Sequence, residues 1–226
     1  MIQKLSTALL VTLFLFAASA LAGPPLVCHA FDIGNAKSLP WISHGWSLSG
    51  AETYDVNHLV SDTVAILDTD PTVLVHMETL RRATLYSEKD SIVAKRLLVT
   101  LISRADSSSG ASAALANFDA GYLAEVMKQF ELITKSSSAA HNLDGYARIK
   151  KALELSPNSP QMDFAAALVT LDGPAGEHDA YSQRALAGAQ SDPLLARNLS
   201  SHFIGPESEL MSKMITRNSN VKVAHQ

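Results

Sequence analysis

The residues able to do chemistry gather in one stretch, Leu26 to Trp46, LVCHAFDIGNAKSLPWISHGW. It holds the only cysteine, Cys28, both tryptophans, Trp41 and Trp46, and two of the eight histidines, His29 and His44. Thiolate and imidazole are good ligands for zinc or copper, and a neighbouring imidazolium lowers the pKa of a thiol. Cys28-His29 is therefore the first candidate for metal or thiol chemistry. If the stretch folds back over the segment that follows, Cys28, His29, His44 and His58 form a candidate metal set, with Asp32 beside them. His58 and Asp62 are four residues apart, which places both on one face of a helix.

The pattern stops short of a motif. Adjacent residues in an extended segment point to opposite sides, so Cys28 and His29 seldom act on one centre. Covalent haem attachment needs Cys-x-x-Cys-His, and Pro25 stands where the first cysteine belongs. His76 and Glu78 are two apart and do not share a helical face. A small buried cysteine beside a half-exposed histidine is the simpler reading, and no cofactor is expected. No catalytic residue is assigned. There is no Gly-x-Ser-x-Gly elbow, and Gly173 to Gly176 is a turn without the Lys-Ser or Lys-Thr of a phosphate loop. Asp68 and Asp70 read as helix terminators and caps. Trp41 and Trp46 are candidate partner-binding residues, because tryptophan is over-represented at binding hot spots. Their apolar neighbours Leu39, Ile42 and Leu48 favour the alternative, an arm anchored on the helices.

The elements that must position this stretch follow from the rest of the chain. Residues 1–22 carry a short n-region with Lys4, an apolar run from Leu5, and Ala20-Leu21-Ala22, which together read as a cleavable secretory signal. The protein is expected to be secreted or periplasmic, with no membrane span after cleavage. Cleavage after Ala22 of the 226-residue chain leaves 204 residues, enough for one sizeable core. Loss of Lys4 leaves 17 basic against 22 acidic residues, a net charge of −5 with no basic stripe, so nucleic acid is not an expected partner. One cysteine cannot form an internal disulfide, so stability must come from packing or from metal, and composition favours packing.

Residues 23–52 are broken by prolines and glycines and read as an extended, docked N-terminal arm, with one helical turn near Ile33 to Ser38. Helical spacing then takes over from 53 to 216. Val56, Leu59, Val60, Thr63, Val64 and Leu67 share one face. Asp70-Pro71 reads as an N-cap and first helical residue for a helix reaching Leu85, with Leu74, Met77, Leu80 and Leu85 inward. Ala94 to Ala105 gives a third inner face. DSSSG at 106–110 is a loop and a possible sub-boundary. The stripe from Leu115 to Ile133 is the longest, and Gly121 within it allows another helix to come close. Tyr146 to Leu153 follows, then a helix restarted at Ser159-Pro160 with Phe164, Leu168 and Leu171 inward. Further helices are expected over Glu177 to Ala189, Pro193 to Phe203 and Glu207 to Thr216, and a frayed tail over 217–226. The fold class expected is all-α, stacked antiparallel helical hairpins with an N-terminal arm.

The phrase Tyr146-Ala-Arg-Ile-Lys-Lys-Ala-Leu-Glu-Leu-Ser-Pro157-Asn158 resembles the second helix and closing turn of a tetratricopeptide repeat, with Ala152 at the small contact position and Pro157 at the turn. The following helix departs from that pattern, with Asp163, Ala166 and Ala167 where an aromatic, leucine and glycine belong. The resemblance covers about residues 145–193 and implies a right-handed superhelix whose concave face binds a peptide or protein. The LVCHAFDIG and LPW phrases also resemble the mature start of a group of exported bacterial proteins, which implies export and nothing about activity. The expected function is a non-enzymatic interaction module with a peptide or protein partner. The alternatives are a thiol- or metal-dependent activity at Cys28 and His29, and an accessory subunit of a secreted assembly.

Overall fold

The computed structural model describes residues 24–42, 50–173 and 176–203. Among the described residues every regular element is helical and there is no strand. A short helix α1 (Pro25–Cys28) lies in the arm. A 3-10 turn (Val56–His58) leads into α2 (Leu59–Thr69), followed by α3 (Val73–Ser87), α4 (Ser91–Ser107), α5 (Ser112–Thr134), α6 (Gly145–Leu155), α7 (Pro160–Val169), α8 (Glu177–Gly188) and α9 (Pro193–His202).

Side chains at the chain's punctuation set these boundaries. Asp90 accepts from the N–H groups of Ile92 and Val93 and starts α4; Asp192 does the same for Leu194 and Leu195 ahead of Pro193 at the first position of α9. Asp144 and Glu125 accept from Ala147 N and Tyr146 N at the start of α6. Asp70-Pro71 behaves differently from the expectation. The Asp70 N–H closes α2 by donating to the Ile66 carbonyl, and its carboxylate accepts from Thr72 N, so it turns the chain and α3 begins only at Val73. A second correction concerns the arm. Its helical turn is α1, where Pro25 supplies the preset φ of a first helical residue. Around Ile33 to Ser38 there is instead a tight turn, with Gly34 at φ +62°.

The predicted inner faces meet in one core. Leu74, Met77 and Leu80 of α3, Leu97 and Leu101 of α4, and Phe118, Tyr122 and Val126 of α5 are all essentially inaccessible. α3 lies at the centre, against α2, α4, α5 and α7. α5 and α6 approach closely at two glycines, Gly121 and Gly145. A Cβ on Gly121 would lie 2.5 Å from the Gly145 carbonyl oxygen, so only residues without side chains permit this spacing. α7 and α8 pack through small residues, with Ala165, Ala166 and Ala167 fully buried. Leu171 falls beyond the end of α7 and is half exposed, contrary to its predicted inward position. The predicted signal at 1–22, the helix at Glu207 to Thr216 and the tail from Arg217 lie outside the described residues, as do His44 and Trp46.

Candidate functional site

Two places concentrate polar side chains, one where the arm meets α3 and one in a cavity between α2, α4 and α5.

Helix α3 is buried at every residue but Arg82, although its sequence contains Glu78, Thr79, Arg81 and Arg82. The spacing of Glu78, Arg81 and Arg82 puts all three on one face. That face is covered by the arm. Glu78, fully buried, accepts from Phe31 N at 3.0 Å, from Arg81 Nε at 2.8 Å and Nη2 at 3.0 Å, and from Arg82 Nε at 2.7 Å. The two guanidinium groups then donate to arm carbonyls, Arg81 to Val27 at 3.0 Å and Arg82 to Leu39 at 2.6 Å. Further along α3, the Tyr86 hydroxyl donates to the Pro40 carbonyl and accepts from Ala51 N. An isolated charge in this core would cost several kcal/mol; here each charge is paired and the remaining donors meet backbone oxygen.

The predicted site residues sit around this clasp. Trp41 packs edge-on to Tyr86 with its ring 5.2 Å from the Arg81 guanidinium carbon and 5.9 Å from that of Arg82. Cys28 is half-buried and unbridged, and burial raises its thiol pKa more than nearby Arg81 lowers it. His29 is likewise half-buried, its pKa lowered first by burial and then by Arg81. Its ring neighbour is His202, at 5.4 Å, which stacks on Phe31. His58 is exposed at the start of α2, 3.7 Å from Asp55, while Asp62 accepts from the Tyr54 hydroxyl, so the two side chains take different partners. Asp32 is taken by Arg197 at 2.6 Å and by Asn198, fixing the arm to α9. Among the described residues no group of three His, Cys, Asp or Glu side chains is placed to hold a metal ion.

The cavity, of about 250 Å³, was not anticipated. On its floor lie His76 from α3 and Asp119 from α5, both buried. His76 Nδ1 is 2.6 Å from Asp119 Oδ1, and Nε2 is 2.6 Å from the Asp70 carbonyl oxygen. A carbonyl can only accept, so Nε2 carries a proton. A second proton lies between Nδ1 and the carboxylate. These acceptors raise the His76 pKa against the opposing effect of burial, and burial raises that of Asp119. With both nitrogens engaged the imidazole has no free edge to act as a base. At the rim Arg104 of α4 pairs with Asp68 of α2, both partly exposed. Leu67, Leu115 and Ala116 supply the apolar wall. The signal for this site lay in the sequence only as three unconnected polar residues, His76, Arg104 and Asp119, on three different helices.

No family model, curated protein or solved structure matches this chain.

Proposed function

We propose that the protein is an exported, non-enzymatic helical module that docks a protein or peptide through the outer face of α4. The observation that carries the reading is the pattern on that face. Ile92 and Val99 are 69% and 54% exposed, two turns apart on one line, and exposed Lys95 and Arg96 flank them. Exposed β-branched residues framed by like charges fit an acidic amphipathic helix, whose apolar residues would cover Ile92 and Val99 while its carboxylates meet Lys95 and Arg96. The groups with chemical potential are spent on the fold: Glu78 and Arg81 on the arm, His76 on Asp119 and Asp70. The pairing of α5 with α6 and of α7 with α8 is also what two tetratricopeptide-like hairpins would require, and supports the superhelical reading of the second half.

The test is a photo-reactive residue placed at Val99 in cells that export the protein, with Asp179 on α8 as the control position. A single acidic partner crosslinked from Val99 and not from Asp179, and lost in K95E/R96E, supports the proposal. Equal capture from both positions, or none from Val99, overturns it.

A further inference from the structure

The arm, residues 24–42, is fastened at Phe31 by two different groups. Its N–H donates to Glu78, and its ring lies flat on His202, the last residue of α9, with centroids 4.5 Å and planes 9° apart. Phe164 of α7 meets the His202 ring edge-on at 5.5 Å, and the ring of His29, in the arm, stands 5.4 Å away. His202 Nδ1 is 2.9 Å from the Asn198 carbonyl oxygen, and a carbonyl only accepts, so Nδ1 carries a proton. Ser201 Oγ, 3.0 Å from Nδ1, gives its own proton to the same carbonyl. The neutral ring therefore presents a bare Nε2, which is buried and has no hydrogen-bond partner among the described residues.

A proton on that nitrogen is a desolvated charge placed between the arm and the helices. Glu78 of α3 faces it, but the Glu78 oxygens already accept from Phe31 N, Arg81 and Arg82. His29 faces it with its backbone carbonyl and with a ring that gains the same charge in acid. Arg81 in turn faces His29 and Cys28, so a protonated His29 meets positive charge from Arg81 and from His202. α7 contributes the apolar Phe164, and His178 of α8 packs on Phe203 instead. The arm's bond to α9 is of another kind: the hydrogen bond from Arg197 holds the Asp32 carboxyl below its usual range, so that bond persists in mild acid.

We propose that residues 24–42 form an acid-released latch: protons taken up by His202 and His29 free the arm from α3 and α9 while the helical core stays folded. Docked, burial lowers the His202 pKa from 6.5 to about 4, and burial followed by Arg81 lowers that of His29. Released, both rings return to the ordinary range. Docking is therefore fully favoured above pH 6.5 and loses ground as the pH falls toward about 4. His202 alone raises the open fraction roughly thirtyfold between about pH 7.5 and pH 5.

The experiment is amide hydrogen exchange on the intact protein at these two pH values, corrected for the intrinsic pH dependence of exchange. The arm is read at Leu26, Phe31 and Asp32, whose N–H groups are bonded to Gln129, Glu78 and Asn198, and the core at Val126 and Met127 of α5. Protection of the three arm amides should fall about thirtyfold at the lower pH, with the α5 amides unchanged. H202F, which keeps an aromatic ring on Phe31, should retain most of its arm protection. The His202 ring-proton resonance of the parent is a second readout that stands even if H202F does not fold, and its midpoint should lie well below the ordinary value of about 6.5. The proposal is overturned if arm protection is the same at both pH values, if the α5 amides fall with it, if H202F responds as the parent does, or if the ring midpoint is at or above the ordinary value.

Discussion

Glu78 and Arg81 stand one turn apart on α3, both buried, and close a two-point ion pair, Nε to Oε2 at 2.8 Å and Nη2 to Oε1 at 3.0 Å. The same carboxylate receives the Phe31 N–H and the same guanidinium reaches the Val27 carbonyl. An ion pair between two helical residues thus becomes the anchor of a segment about fifty residues upstream. Removing one partner leaves the other charged, buried and unpaired. E78A is expected to cost about 3–5 kcal/mol and to release the arm. Urea unfolding gives the first quantity, and limited proteolysis after Leu26 the second. A loss under about 1 kcal/mol would show that the arm does not depend on this carboxylate.

The Gly121–Gly145 contact makes an opposite kind of prediction. Alanine within a helix is ordinarily favoured over glycine by about 1 kcal/mol. At Gly121 the added methyl would meet the Gly145 carbonyl, so the helices must separate, at a cost of about 1–3 kcal/mol. G121A should therefore lower the thermal midpoint. A G121A variant more stable than the parent would refute the close packing of α5 and α6.

Stability should depend on pH through His202. Burial lowers its pKa from 6.5 to about 4, so the fold favours the neutral ring that stacks on Phe31. The sign follows directly. The contribution is fully present above pH 6.5 and is lost as the pH falls toward about 4, because the unfolded chain takes up the proton first. H202F keeps an aromatic ring on Phe31 and removes the titration. Denaturation midpoints at pH 7 and pH 4.5 should fall further for the parent than for H202F.

Asp192 joins three elements: it caps α9 through Leu194 and Leu195, and it accepts from Gln161 of α7, which in turn receives the Leu74 N–H at the start of α3. D192A should cost about 0.5–2 kcal/mol, the range for loss of a helix cap, measured by urea unfolding. A value at or below zero would mean that Gln161 alone organises this junction.

Cys28 provides a direct check on the thiol reading of the arm. Burial raises its pKa, so less thiolate exists at neutral pH than in a free cysteine. Labelling by a disulfide reagent at pH 7 should be slower than for a free thiol and should accelerate on unfolding. Labelling faster than a free thiol would restore Cys28 as a reactive centre.

The sequence by itself determined the helical class and most inner faces, because the period of 3.6 in stripes such as Phe118, Tyr122, Val126 and Phe130 depends only on local geometry and apolar burial. It also determined the helix start at Asp192-Pro193, since a cap acts within three residues of itself. Gly121 was legible as a place of close approach, though not its partner. Tertiary structure alone decided that the polar face of α3 turns inward. Glu78, Arg81 and Arg82 look like a solvated stripe until the arm supplies a carbonyl or N–H for each, and those groups come from about forty to fifty residues away. The same holds for His76 and Asp119, forty-three residues apart, which become a pair only when α3 and α5 pack. Local spacing encodes which residues can share a face; which polar face is buried depends on whether a distant segment can satisfy its hydrogen bonds.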